Sequence, residues 1–257
     1  MISETDAKTL HEITPERVVD KSGPRRDDIF FTIMGLVVLG TVFLGFARTY
    51  YLAPIYHTKV RSLLIHVHAA LFSAWILLFN AQIWLIARKR TALHKRVGMI
   101  GAALVVCMIV LGVLAATDSL SRGFHPPDFP FDAETFYALP MFVLAAFAVL
   151  IVAALLQRSN GPSHKRLVLL ATIALMNPAV NRWPFAFIHH NHIATAVIVD
   201  GMALTVFAFD LWSRGRIHKA TLKGGIFLIV LLHSAVPIGL TPLWHKFAVL
   251  ALKFWTR

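Results

Sequence analysis

The chain has 257 residues, 57% of them hydrophobic and only 15% charged, which is too apolar for a soluble domain of this size. A formal net charge of +12 raises the question of nucleic acid, but the basic residues lie between hydrophobic runs rather than in one patch, which argues for an integral membrane protein and against a nucleic-acid partner. The single Cys107 sits inside an apolar run, so a disulfide framework and a multi-cysteine zinc site are both excluded.

Residues Met1–Asp28 are polar and read as a short cytoplasmic tail. The apolar run after it is too long for a signal peptide and lacks a small-residue cleavage pattern. Span one covers Ile29–Leu52 and is closed by Pro54. Six further spans are predicted at Leu63–Ala87, Val97–Ala116, Phe136–Leu156, Leu167–Pro184, Ile193–Trp212 and Gly224–Leu240. The C-terminal stretch Trp244–Arg257 is about 21 Å long as a helix, too short to cross, and its tryptophans and lysines suit an interfacial helix. The expectation is an all-α polytopic bundle of seven transmembrane helices over residues 29–243. Of the 25 basic residues, 17 fall in the tail and the connections on its side of the membrane, which puts the N-terminus in the cytoplasm and the C-terminus outside.

Span two has a distinctive pattern. His66, Ser73 and Asn80 recur every seven residues, and so do His68, Trp75 and Gln82, giving two stripes about 160° apart on the helix. Polar groups on two faces cannot both turn to lipid cheaply. This predicts that span two occupies the centre of the bundle, with partners on both sides. A partial repeat also appears: Leu93-His94-Lys95-Arg96-Val97 opens span three, Ser163-His164-Lys165-Arg166-Leu167 opens span five, and Ile217-His218-Lys219 precedes span seven. Duplication of a helix-pair unit accounts for a histidine at each place; convergent placement of basic residues is the alternative.

The histidines segregate by depth. His66, His68, His189, His190 and His192 fall near the outer face, and His94, His164 and His218 at the inner one. Neutral imidazole ligates haem iron, copper or zinc, and a bis-imidazole haem needs two histidines on different helices at one depth. Span two and the start of span six meet that need outside, through His66 or His68 and one of His189, His190 and His192. His94 and His164 can form a second, inner pair. Interfacial anchoring or packing is the competing explanation for each of them.

Within the membrane, ionisable groups are functional candidates by default. Asp200 and His233 are expected at similar depth, where a carboxylate–imidazole pair can relay protons; the alternative is that Asp200 serves Arg182 or Asn80. Arg182 lies in the segment Met176-Asn177-Pro178-Ala179-Val180-Asn181-Arg182-Trp183-Pro184 that ends span five. Pro178 there predicts an interrupted helix, and Arg182 suits a haem propionate, a quinone oxygen or a lipid phosphate, or else snorkels outward. Asp210 is explained by local pairing with Arg214 and Arg216.

The elements His66-x-His68 with Trp75, then Gln82-x-Trp84-Leu85 and Leu93-His94-Lys95-Arg96-Val97-Gly98, resemble a group of bacterial multi-pass membrane proteins with HKR or HR-x-x-G motifs opening their helices. Later segments from His164 to Lys219 extend the resemblance, which implies a fold but no established activity. More distantly, the inward histidines and helix pairs are similar to cytochrome b561-like proteins and haem A synthase, which implies b-type haems held by histidines on a four-helix core. Span four has no histidine and departs from that pattern.

The leading expectation is a bacterial inner-membrane redox protein with one b-type haem near the outer face, exchanging electrons with quinone or another redox protein, with Asp200 and His233 as proton-transfer groups. A cofactor-free proton-coupled transporter is the second class, with Asn80, Gln82, Asp200, His233 and the Pro178 break forming a central polar site. A non-haem metal enzyme, with His66, His68, His94 and His164 as candidate metal ligands, is the third; His66-x-His68 and the His189-His190-Asn191-His192 cluster favour it and the lack of carboxylate or repeated HxxH ligands weighs against it. An assembly or scaffolding role is the last.

Overall fold

The computed structural model of the protein describes residues 26–58, 62–126, 129–189 and 191–255, and these are helical with short connections. Helix α1 (Arg26–Phe46) continues into a π-helical turn, Ala47–Tyr51, and is followed by α2 (Leu63–Ala87), α3 (Thr91–Ser121), α4 (Ala133–Leu156), α5 (Gly161–Ala174), the one-turn α6 (Asn177–Val180), α7 (His192–Arg214), α8 (Lys219–Gly239) and α9 (Pro242–Trp255). The tail expected over Met1–Asp28 lies, as far as Arg25, outside the described residues. Several helix starts are fixed by a side chain accepting a backbone amide, among them Ser62 before α2, Asp132 before α4, Asn160 before α5 and Asn191 before α7.

Six helices, α1 with its π-helical turn, α2, α3, α4, α7 and α8, are long and apolar enough to cross a membrane. A helix satisfies its own backbone groups, which lipid cannot do, and six such helices make this a multi-pass membrane protein. The fifth expected span, Leu167–Pro184, is not a continuous helix. α5 has 14 residues, about 21 Å, and the chain turns at Leu175 and Met176 before α6 resumes. Pro178 falls in the first turn of α6, where its missing N–H removes no helical bond. Both ends of the broken segment still reach α1: Lys165 pairs with Asp27 at one end, and Ala179 packs on Gly45 near the other.

The centre of the bundle belongs to α5 and α6, not to α2. Leu169, Leu170, Ala171, Thr172, Ile173, Ala174 and Met176 are wholly buried. α5 packs against α4, α7 and α8, and α6 against α1 and α7. α2 lies to one side, packed on α1 and α3, with Trp75, Ile76, Phe79 and Leu85 its buried residues. Its two polar faces reflect these neighbours. On one, the Tyr50 hydroxyl lies 3.5 Å from His66 Nδ1, the Tyr51 hydroxyl bonds Ser73 at 2.7 Å, and Asn80 lies against Gly35 of α1. On the other, Trp75 packs edge-on against Phe147 of α4, and Gln82 Nε2 donates to the His94 carbonyl of α3 at 3.2 Å. Opposed polar stripes therefore report neighbours on two sides, and do not rank a helix as central. α9 packs Ala248 against Ala116, Leu120 and Tyr137, and Trp244 Nε1 donates to the Glu134 carbonyl at 2.8 Å.

Candidate functional site

The His-Lys-Arg run that opens α5 is where four helices are tied together. Its three side chains diverge because consecutive residues on a helix point about 100° apart. His164 Nδ1 lies 2.9 Å from the Ala154 carbonyl of α4, Lys165 pairs with Asp27 of α1, and Arg166 reaches Asp210 of α7. Arg166 Nε lies 2.9 Å from Asp210 Oδ1 and 3.3 Å from Oδ2, a second nitrogen closes the fork, and Nη1 donates to the Pro162 carbonyl at 3.0 Å. Asp210 accepts in addition from the Thr221 hydroxyl and the His218 amide. Both charged side chains are wholly buried. Asp210 is therefore not explained by Arg214 and Arg216: Arg214 instead sits 3.9 Å from Asp27. In the sequence Arg166 reads as one more basic residue at a membrane face. The signal of its burial is Asp210, which the antiparallel course of α7 brings to the same level.

His94 of α3 meets His164 across this level, with ring centroids 6.4 Å apart and ring planes at 89°. A carbonyl can only accept, so the His164 contact to Ala154 puts the proton on Nδ1 and leaves Nε2 with a lone pair. His94 Nδ1 is buried and has no hydrogen-bond partner, a state that asks for a ligand, an ion or water. The two rings belong to different helices and meet at one level, so His94 and His164 are the residues that would hold a group bound between two imidazoles. Among the described residues no group of three His, Cys, Asp or Glu gathers to hold a metal. A donor set of two suits a metal that brings its own equatorial ligands, as haem does, better than a zinc or non-haem iron site that takes three or four from the protein.

The histidines expected near the outer face are spread over different surroundings. His66 is exposed beside Tyr50; His68 stacks on Phe72 at 4.2 Å, with a buried Nδ1 that has no hydrogen-bond partner; and His192, the first residue of α7, lies edge-on to Phe129 at 5.3 Å. His189 is exposed in the turn before α7, and His190 lies outside the described residues. Arg182 turns to local partners, donating to the Pro178 carbonyl at 2.7 Å and lying over the Phe46 ring at 5.3 Å.

Asp200 and His233 do meet, Nε2 to Oδ2 at 2.8 Å, across the seam between α7 and α8. The pair opens outward, the His233 side chain being 53% exposed and that of Asp200 24%. The central polar site expected of Asn80, Gln82, Asp200 and His233 does not assemble. Asn80 turns to its own helix, donating to the Ile76 carbonyl beside α1, and Gln82 reaches α3, while Asp200 and His233 pair on α7 and α8.

Compared with known proteins, the chain matches no family model, no curated protein and no solved structure.

Proposed function

We propose that the chain is a seven-pass protein of a bacterial inner membrane, N-terminus in the cytoplasm and C-terminus outside, that binds one b-type haem between His94 and His164 and carries electrons through it. The observation that carries this reading is the His94–His164 pair: two imidazoles from different helices, 6.4 Å apart, one with an unpartnered buried nitrogen. In this reading the haem is held by the His94–His164 pair rather than by His66 or His68 with one of His189, His190 and His192. The seventh pass is the broken α5–α6 segment, and the orientation rests on the 17 of 25 basic residues found on one side.

Bound there, the haem would supply one-electron transfer. The chain's own residues do the rest. The Ala154 carbonyl holds the His164 ring in one tautomer and orientation, the role that outer-sphere partners of metal-bound histidines commonly play. Gln82 ties the start of α3 to α2 and so fixes the level of His94. The Arg166–Asp210 pair anchors the start of α5 to α7, which keeps His164 in place. The test is a reduced-minus-oxidised visible spectrum and haem analysis of the purified full-length protein, produced with haem in supply. A b-type spectrum at about one haem per chain supports the reading, and protein free of haem overturns it.

The Asp200–His233 pair favours a second element, proton exchange with a lipid-soluble quinone, because a carboxylate–imidazole pair opening outward from a membrane helix seam can accept a hydroxyl proton. Asp200 stands ten residues before Asp210, about 15 Å along α7, so it belongs to a site separate from the histidine pair. Quinol-dependent reduction of the protein that survives Asp200→Asn unchanged removes this element.

A further inference from the structure

A cavity of about 880 Å³ opens between the inner end of α4, the start of α5 and the start of α8. Its lining carries four cations, Arg214, Arg216, Lys219 and Lys223, and no carboxylate. Arg214 has a distant partner in Asp27, whereas Arg216, Lys219 and Lys223 are exposed and form no ion pair with a described residue. Of the two carboxylates close by, Asp27 pairs with Lys165 and faces Arg214, and Asp210 is wholly buried and already taken by Arg166, Thr221 and the His218 amide. The positive charge of Arg216, Lys219 and Lys223 is therefore uncompensated, and the starts of α5 and α8 add to it. The other wall is apolar, made by Val149, Leu150 and Phe227, and α4 continues from it with Val149 and Val152 half exposed on its outer side.

A cationic mouth at the membrane face with an apolar wall running towards the bilayer has the chemistry of a phosphate headgroup joined to acyl chains. We infer that the cavity is a binding site for an anionic phospholipid, with the headgroup phosphate held by Arg216, Lys219 and Lys223 and an acyl chain lying along α4 and α8. The site is separate from the histidine pair, which does not line it.

The experiment uses the full-length protein, stripped of lipid in an uncharged detergent, and follows its thermal midpoint on titration with phosphatidylglycerol, phosphatidylcholine or inorganic phosphate. Phosphatidylglycerol is expected to raise the midpoint saturably and the other two to leave it unchanged. In Arg216→Gln/Lys219→Gln/Lys223→Gln the half-saturating lipid concentration rises on the order of a hundredfold, from about a factor of five for each cation at a membrane surface. Ala153→Trp, which fills the cavity at unchanged charge, loses the shift as well. Arg88→Gln/Lys89→Gln/Arg90→Gln removes as many charges from the same membrane face outside the cavity and keeps it. Equal loss in both triple variants would reduce the effect to surface charge and overturn the site. So would an equal response to inorganic phosphate, or wild-type affinity in the cavity variants.

Discussion

Arg166 of α5 and Asp210 of α7 form a forked ion pair with both side chains at zero exposure. Two buried charges are stable only when each is paired and its remaining hydrogen-bonding capacity is filled. Here the Pro162 carbonyl, the Thr221 hydroxyl and the His218 amide complete the set. Removing one partner leaves the other charge unpaired in the core, so Asp210→Ala is expected to cost about 3–5 kcal/mol. The double variant Arg166→Met/Asp210→Leu is expected to recover much of that loss. Unfolding of the purified protein in detergent measures both. A double variant no better than Asp210→Ala would mean that the charges act separately.

The contact between α1 and α6 depends on a glycine. A methyl group at position 45 would overlap the Ala179 backbone carbonyl, and backbone cannot rotate aside as a side chain does. Gly45→Ala is expected to destabilise by about 1–3 kcal/mol, through separation of α1 from the broken helix. Gly40→Ala, where nothing lies within 4 Å, serves as the control. It should be neutral or slightly stabilising, because alanine is the better helix former.

His218 makes stability depend on pH. Burial lowers its pKa from the usual 6.5, and Arg166, Arg214 and Lys165 act in the same direction against the opposing Asp210. Its Nδ1 accepts from the Ala220 amide at 3.1 Å, which requires the neutral ring. The folded state therefore holds this proton less tightly than the unfolded chain. The stability contribution is fully present above pH 6.5 and is lost as pH falls below that value towards the lowered folded pKa. His218→Asn keeps an acceptor at the start of α8 and removes the titration. Its thermal midpoint should fall less between pH 7 and pH 5.5 than that of the wild type; parallel curves would show that other groups control the acid limb.

Much of this architecture is readable in the residues. The apolar runs locate the long helices because length and hydropathy alone decide what crosses a bilayer. The depths of Asp200 and His233 anticipate their pairing because straight helices carry residue number into depth. The central helix is not readable in that way. Burial of α5 follows from which helices surround it, and its small residues Ala171, Thr172 and Ala174 differ little in composition from a lipid-facing stretch. Arg166 is hidden for a related reason: a basic residue at a membrane face is expected whether or not it is buried. The same ambiguity leaves His94 and His164 among several candidate pairs until the course of α3 and α5 brings them together.

The most direct test of the central claim compares the reduced-minus-oxidised spectra of His94→Ala, His164→Ala and His68→Ala with that of the wild type, each normalised to protein. The account predicts that the b-type signal is lost or changed to a one-histidine form in the first two variants and kept in the third. A signal that survives loss of His94 and His164 but disappears with His68 would contradict it and return the ligands to the outer face.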